Sequence, residues 1–244
     1  MKVLKKRYNI VMEKLTKKSV VVHSGGMDSS ICLCLAIEQF GAENVLAISF
    51  NYGQRHSNEL EQAKIMCKKL NVDRLVLDIN CLSKITKNSL TDLNLKVDVT
   101  AEGTPNTLVS GRNGLMARIA AIHANELGAN CIFMGVIEVE EANSGYRDCS
   151  RKYMDIVQAA LRMDFDNNNF EIKTPIVYMT KNQTMELGYQ MGVLQYLLDN
   201  TITCYNGVIG IGCQKCPACT LRNEGIREFL KTHEDFVFSF KDQL

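Results

Sequence analysis

Ser24-Gly25-Gly26-Met27-Asp28-Ser29 stands one residue, His23, after the apolar run Val20-Val21-Val22 and directly before Ser30-Ile31-Cys32-Leu33-Cys34-Leu35. The order reads as a strand, a glycine turn and a helix in immediate succession. Paired glycines let the backbone approach a phosphate closely, and the amides that open a helix direct partial positive charge at the same point. Asp28 falls in the first helical turn, where a carboxylate suits the helix dipole. Ser24, Ser29 and Ser30 add hydroxyl donors for phosphate oxygens. An isolated Gly-Gly marks no more than an ordinary turn between strand and helix; six such residues in this context mark an anion-binding site.

The spacing is neither the G-x-x-x-x-G-K-[ST] of a Walker loop nor the G-x-G-x-x-G of a dinucleotide fold. It resembles the pyrophosphate loop (PP-loop) of the N-type ATP pyrophosphatases. Members of that superfamily hold the pyrophosphate leaving group in this loop while ATP adenylates a substrate oxygen. The resemblance implies ATP bound along His23, Ser24, Gly25, Gly26, Met27, Asp28, Ser29, Ser30, Ile31, Cys32 and Leu33, with Ser24, Asp28 and Ser29 acting on the reacting phosphates.

A chain of 244 residues with 46% apolar content suits one generous α/β domain with a small appendage. Lys and Arg number 28 against 27 Asp and Glu, so a net charge of +1 gives no bulk field for nucleic acid or acidic membranes. A small-molecule substrate is favoured, with no direct nucleic-acid partner. No apolar segment approaches the roughly 20 residues that cross a bilayer, and the start from Met1 runs into Glu13-Lys14 rather than a long apolar core. A cytoplasmic location is expected. The ten cysteines divide into scattered residues in apolar context, such as Cys32, Cys34, Cys67 and Cys131, and one C-terminal cluster.

Along the chain, residues 1–18 form an N-terminal extension with no assigned function, residues 19–200 an ATP-binding α/β domain, and residues 201–244 a C-terminal zinc-binding helical segment. Strands are expected over Val45–Phe50, Arg74–Asp78, Cys131–Val136 and Glu171–Val177. Helices are expected over Ser57–Leu70 (capped by Ser57), Asn113–Leu127, Arg151–Met163 and Lys181–Met191 (capped by Thr180), and from near Thr220. Residues 79–108, with Pro105, read as an irregular connection of the kind that lines a site. The alternation predicts a Rossmann-like parallel sheet flanked by helices. In such sheets the ligand crevice lies beyond the carboxyl ends of the strands. Four loops should converge there, carrying Ser24–Ser29, Asn51–His56, Gly111–Asn113 and Glu138–Asp148. Arg55 and Arg112 suit phosphate or carboxylate, and His56 is the usual near-neutral acid or base.

Cys204, Cys213, Cys216 and Cys219 are separated by eight, two and two residues. Four thiolates make a closed tetrahedral zinc site, and the two-residue gaps turn neighbouring thiolates toward one ion. A closed shell leaves no position for an activated water, so this metal would organise the tail. An iron-sulfur cluster is the competing reading, because it also takes four thiolates.

Thr203-Cys204-Tyr205-Asn206-Gly207, Gly212-Cys213-Gln214-Lys215-Cys216-Pro217-Ala218-Cys219 and Leu221-Arg222 resemble the 7-cyano-7-deazaguanine synthase family, as do Asn51–His56, Gly111-Arg112-Asn113 and Ser144–Cys149. The match runs in order from about residue 19 to about residue 226. It departs at Ser110, at Arg147 and over Glu138–Asn143, where the family pattern usually has proline, proline and an acidic-aromatic segment. The resemblance implies an adenine nucleotide alpha hydrolase type of fold. It also implies a ligase that joins ammonia to 7-carboxy-7-deazaguanine to give the nitrile on the queuosine pathway. ATP would be used twice, with Mg2+ on its phosphates, Arg112 toward the nucleotide, one structural zinc, and a homodimer. Tyr52, Tyr146, Asp148 and Glu138 are candidates for holding the purine-like base. Three alternatives stay open: a paralogue with another acceptor, a tRNA-thiolating enzyme using Cys149 or Cys204, and a non-enzymatic zinc module that binds nucleotide.

Overall fold

A computed structural model describes residues 16–53, 58–86, 88–89, 106–139 and 146–244. Five parallel strands form one sheet: β1 (Ser19–Val22), β2 (Val45–Asn51), β3 (Asp73–Asp78), β4 (Cys131–Met134) and β5 (Glu171–Lys173), in the order β3-β2-β1-β4-β5. Val20 sits opposite Leu46 on one side and Ile132 on the other, and Phe133 opposite Lys173. The inner strands are mostly apolar and almost wholly buried, as a sheet covered on both faces requires.

Side chains alternate across the pleat, so each strand feeds two cores. Val21, Ala47 and Phe133 pack on one face under α1 (Met27–Phe40) and α2 (Asn58–Lys69). The same core takes in α6 (Lys181–Gln190), α7 (Leu194–Asn200) and α8 (Pro217–Leu230). Val20, Leu46, Ile48 and Ile132 pack on the other face, against α4 (Arg112–Glu126) and α5 (Arg151–Phe165). The alanines of α4, Ala117, Ala120, Ala121 and Ala124, are buried and bring that helix close to the sheet. No helix among the described residues is long and apolar enough to cross a membrane.

Several expectations are corrected at element ends. The last strand stops at Lys173 rather than Val177, because Pro175 has no N–H to give a ladder and Thr174–Val177 closes as a turn, with Val177 N–H donating to Thr174 O at 3.1 Å. The strand from Cys131 stops at Met134, short of Val136. Residues 79–108 include a short helix, α3 (Cys81–Ile85), where an irregular connection was expected. Most of the remainder of that stretch lies outside the described residues, as do Ser57, Arg55 and His56. The last long helix begins at Pro217, three residues before Thr220, since proline at the first helical position loses no hydrogen bond there. Thr180 does cap α6, and Gln183 completes a capping box.

Candidate active site and metal centre

The chain leaves β1 toward β2 on one side and reaches β4 on the other, so the topological switch point lies between β1 and β4. The loop after β1 is the Ser24–Ser29 turn. Gly25 has φ of +87°, and a methyl group there would collide with the Glu59 carbonyl oxygen of α2, so only glycine fits. Gly26 is the N-cap of α1 and offers no side-chain cap, which leaves the first amides of the helix open to an external acceptor. Hydroxyls fix the turn. Ser29 Oγ donates to Gly26 O at 3.0 Å and lies 3.1 Å from Ser24 Oγ, while Ser30 Oγ donates to Gly26 O at 2.7 Å. Lys181, the first residue of α6, places Nζ 2.7 and 2.6 Å from the two carboxylate oxygens of Asp28.

Ser24 is exposed and Asp28 half-buried, whereas the side chains of His23, Ser30, Ile31, Cys32 and Leu33 are fully buried and Met27 nearly so. The side chains of those six residues thus underlie the turn, and what they offer an external ligand is their backbone. His23 Nε2 lies 3.1 Å from Ser30 Oγ, and burial together with Arg74 pulls the imidazole down to about 3. It stays neutral and steadies a serine that in turn holds Gly26.

A second group gathers where α4 starts. Arg112 Nη1 donates to Tyr52 Oη at 3.4 Å, with its guanidinium carbon 5.4 Å from the centre of that ring. Asn113 N–H donates to Asp148 Oδ2 at 3.0 Å and Asn113 Nδ2 to Cys149 Sγ at 3.2 Å. Asp148 is only 5% exposed, and its Oδ1 has no hydrogen-bond partner among the described residues. Tyr146 pairs its hydroxyl with Thr107. Glu138 differs from the other candidates for the base, because its Oε2 accepts from Arg151 N–H at 2.8 Å and so serves the start of α5. Burial, opposed by Arg112, pushes the Glu59 carboxyl up to about 7. Glu59 is not marked in the sequence, because its half-buried setting comes from the packing of α2 against the glycine turn. Burial and Asp148 push the Cys149 thiol up to about 12, which leaves it un-ionised near neutrality.

The four C-terminal cysteines converge, with all four Sγ atoms within 4.8 Å of one another. Tetrahedral zinc at a Zn–S length of about 2.3 Å sets its sulfurs about 3.8 Å apart, so the donor set fits a single ion. Cys204, Cys216 and Cys219 are buried, and none of the four forms a disulfide. Backbone amides already point at the sulfurs: Asn206 N–H donates to Cys204 Sγ and Cys216 N–H to Cys213 Sγ, both at 3.3 Å. Hydrogen bonds with Cys216 and Cys219 hold the Cys204 thiol far below its ordinary range, and those with Cys204 and Cys216 push Cys219 far above it. Thiols this crowded ionise one at a time unless a cation joins them. Arg222, 1% exposed on α8, is pulled down by burial and back up by the charges of Cys219, Cys204, Cys216 and Cys213.

A parallel sheet with an uncapped, glycine-led helix start at its switch point defines an α/β protein of the PP-loop, nucleotide-binding class. Within that class, the chain belongs to the family of queuosine biosynthesis protein QueC, whose family model matches residues 18–230. It is 41% identical over 219 residues to a 7-cyano-7-deazaguanine synthase of Clostridium botulinum (strain 657 / Type Ba4), covering 89% of this chain and 98% of the relative. It is 42% identical over 217 residues to the protein of that name from Clostridium botulinum (strain Loch Maree / Type A3), covering 88% and 97%. Among solved structures, a 4-thiouridine synthetase in complex with RNA and bound ATP aligns at a TM-score of 0.49 with 14% identity, over 90% of this chain and 53% of that one.

Proposed function

We propose that this protein is a carbon-nitrogen ligase that converts 7-carboxy-7-deazaguanine and ammonia to 7-cyano-7-deazaguanine at the expense of ATP. The observation that carries the reading is the uncapped start of α1 at Gly26, with Asp28 and Lys181 paired beside it, in a chain of this family. A carboxylate resists attack because oxide is a prohibitive leaving group. Transfer of AMP from ATP to a carboxylate oxygen breaks the α–β phosphoanhydride bond, releases pyrophosphate and turns that oxygen into part of a good leaving group. Ammonia adds to the carbonyl carbon, AMP departs with the oxygen, and loss of a proton leaves the amide. Adenylation of the amide oxygen by a second ATP releases another pyrophosphate, and loss of AMP and of both N–H protons gives the nitrile.

The residues of the turn bind and orient rather than attack. The open amides of α1 and the Ser24 and Ser29 hydroxyls take the departing pyrophosphate, and fixed donors of this kind cost no reorganisation as charge develops. Asp28 is the residue proposed to help hold Mg2+, which would offset phosphate charge. Arg112, stacked on Tyr52, takes the nucleotide side of the pocket, and Tyr52, Tyr146 and Asp148 line the base side. Sulfur transfer to tRNA is disfavoured, because the un-ionised Cys149 is a poor nucleophile and Cys204 belongs to the four-sulfur cluster.

Zinc is the metal proposed for Cys204, Cys213, Cys216 and Cys219. A multi-iron cluster spreads its thiolates over several metal atoms, and sulfurs within 4.8 Å of one another leave it too little room. Its work would be to hold residues 201–244 as a zinc-binding segment on the ATP-binding domain of residues 19–200. A cytoplasmic homodimer completes the reading. The test is incubation of the zinc-loaded protein with ATP, Mg2+, ammonium and 7-carboxy-7-deazaguanine, with products resolved by mass. AMP together with the nitrile supports the reading; folded protein that makes neither refutes it.

A further inference from the structure

The four-cysteine centre and the glycine turn are joined twice. Two residues before Cys204, Ile202 N–H donates to Gly25 O at 3.1 Å, so the strand of chain that enters the cluster is bonded to the turn itself. On the other side, Cys216 caps α8 and Cys219 lies in its first turn. Further along that helix, Gly225 faces Lys181 so closely that a methyl group on it would stand 2.5 Å from Lys181 Cβ and 3.1 Å from the Lys181 carbonyl carbon. Lys181 in turn reaches Asp28 with both carboxylate oxygens engaged. The two segments that leave the cluster thus hold the turn at its second residue and at its acidic residue.

Without a cation this arrangement has no common anchor. Between Thr203 and Cys216 the chain forms turns but no helix or strand, so the sulfurs are what tie the Ile202 segment to the start of α8. Segments with little regular structure open locally at low cost unless a ligand or metal joins them. Losing the tie frees both contacts with the turn at once, and a turn that must present amides to a triphosphate is sensitive to small displacements.

We propose that occupancy of the four-cysteine centre sets the geometry of the glycine turn through Ile202–Gly25 and through Gly225–Lys181–Asp28, so that metal and nucleoside triphosphate bind with positive coupling. The proposal rests on the reading of the turn as the triphosphate site. Gly225 acts as a positioning residue: its missing side chain lets α8 seat Lys181 against Asp28. Coupling between two bound ligands is reciprocal, so whatever factor the metal contributes to nucleotide affinity, the nucleotide returns to metal affinity.

Two measurements test it, both on the full chain without acceptor so that no turnover occurs. Gly225→Ala, loaded with one zinc, is titrated calorimetrically with MgATP beside the zinc-loaded wild type; affinity at least tenfold weaker, with zinc still bound and circular dichroism unchanged, is expected. For the wild type alone, zinc affinity is measured by competition with a chromophoric chelator, with and without saturating MgATP, and should tighten at least several-fold when the nucleotide is present. This second measurement decides the matter if the variant fails to fold. A folded, zinc-loaded Gly225→Ala that binds MgATP within twofold of wild type, or zinc affinity indifferent to MgATP, overturns the coupling. If zinc-loaded wild type binds no MgATP at all, the reading of the turn itself falls.

Discussion

Lys181 Nζ lies within 2.7 Å of both carboxylate oxygens of Asp28, an ion pair spanning 153 residues of sequence in which the lysine side chain is 11% exposed and the aspartate 28%. The pair places one negative and one positive charge beside the turn proposed to take the phosphates. Lys181→Met leaves Asp28 uncompensated beside an incoming triphosphate. MgATP binding by calorimetry should weaken by about 10- to 100-fold, the range for losing a charged hydrogen bond, and Lys181→Arg should recover part of it. Unchanged affinity in Lys181→Met would show that the lysine serves the fold alone.

Arg222 is buried with its guanidinium bonded to Asn223 Oδ1 at 2.9 and 3.1 Å and 5.4 Å from the centre of the Phe240 ring, while the four cysteines supply the opposing charge. A divalent ion in four thiolates leaves a net negative centre that this cation offsets. Arg222→Met should therefore lower metal affinity by about 10- to 100-fold, as loss of an outer-shell partner does. In a Cys216→Ser background the same change should cost no further stability, because the anionic centre is already gone. Metal content and thermal melts of the four proteins check both statements.

His23 sits well below the ordinary imidazole value of 6.5, at about 3, because burial and Arg74 oppose its charge. The unfolded chain then binds more protons than the folded one between those values, so stability is present above 6.5 and is lost as pH falls toward 3. By pH 5 the loss from this group is about 2 kcal/mol. Between pH 7 and pH 5, urea melts should show wild type losing about 2 kcal/mol more stability than His23→Asn, and equal losses would contradict it.

Glu59 carries the opposite sign. Its carboxyl is raised from 4.5 to about 7, chiefly by burial, so the folded state holds its proton more tightly. Its contribution is present below 4.5 and is lost as pH rises through 7. Glu59→Gln should change stability little at pH 4.5 and raise it by up to about 3 kcal/mol at pH 8. A melting temperature at pH 8 no higher than wild type would contradict the shift.

What could be read in the sequence was whatever is local. The Ser24–Ser29 turn and the Cys213–Cys219 spacing are contiguous, and their geometry follows from glycine freedom and thiolate reach. The alternating strands and helices announced a parallel sheet because buried strands and amphipathic helices differ in period. What stayed hidden was tertiary. Nothing near Lys181 in sequence points to Asp28, and nothing near Glu59 marks it as half-buried and under the influence of Arg112. α7 is seven residues long, too short to show a helical period, and is held by Leu194, Leu197 and Leu198 in the core. Of the eleven residues His23–Leu33, the sequence does not show which side chains turn inward, since a helix that opens at such a turn immediately enters the core.

The most direct test of the chemistry follows oxygen. With both carboxylate oxygens of 7-carboxy-7-deazaguanine labelled with 18O, two rounds of adenylation carry each label away on AMP. Mass spectrometry should then find about two labelled AMP molecules per nitrile, with pyrophosphate and phosphate unlabelled. Label in phosphate, or unlabelled AMP alongside nitrile, would contradict activation through acyl and imidoyl adenylates.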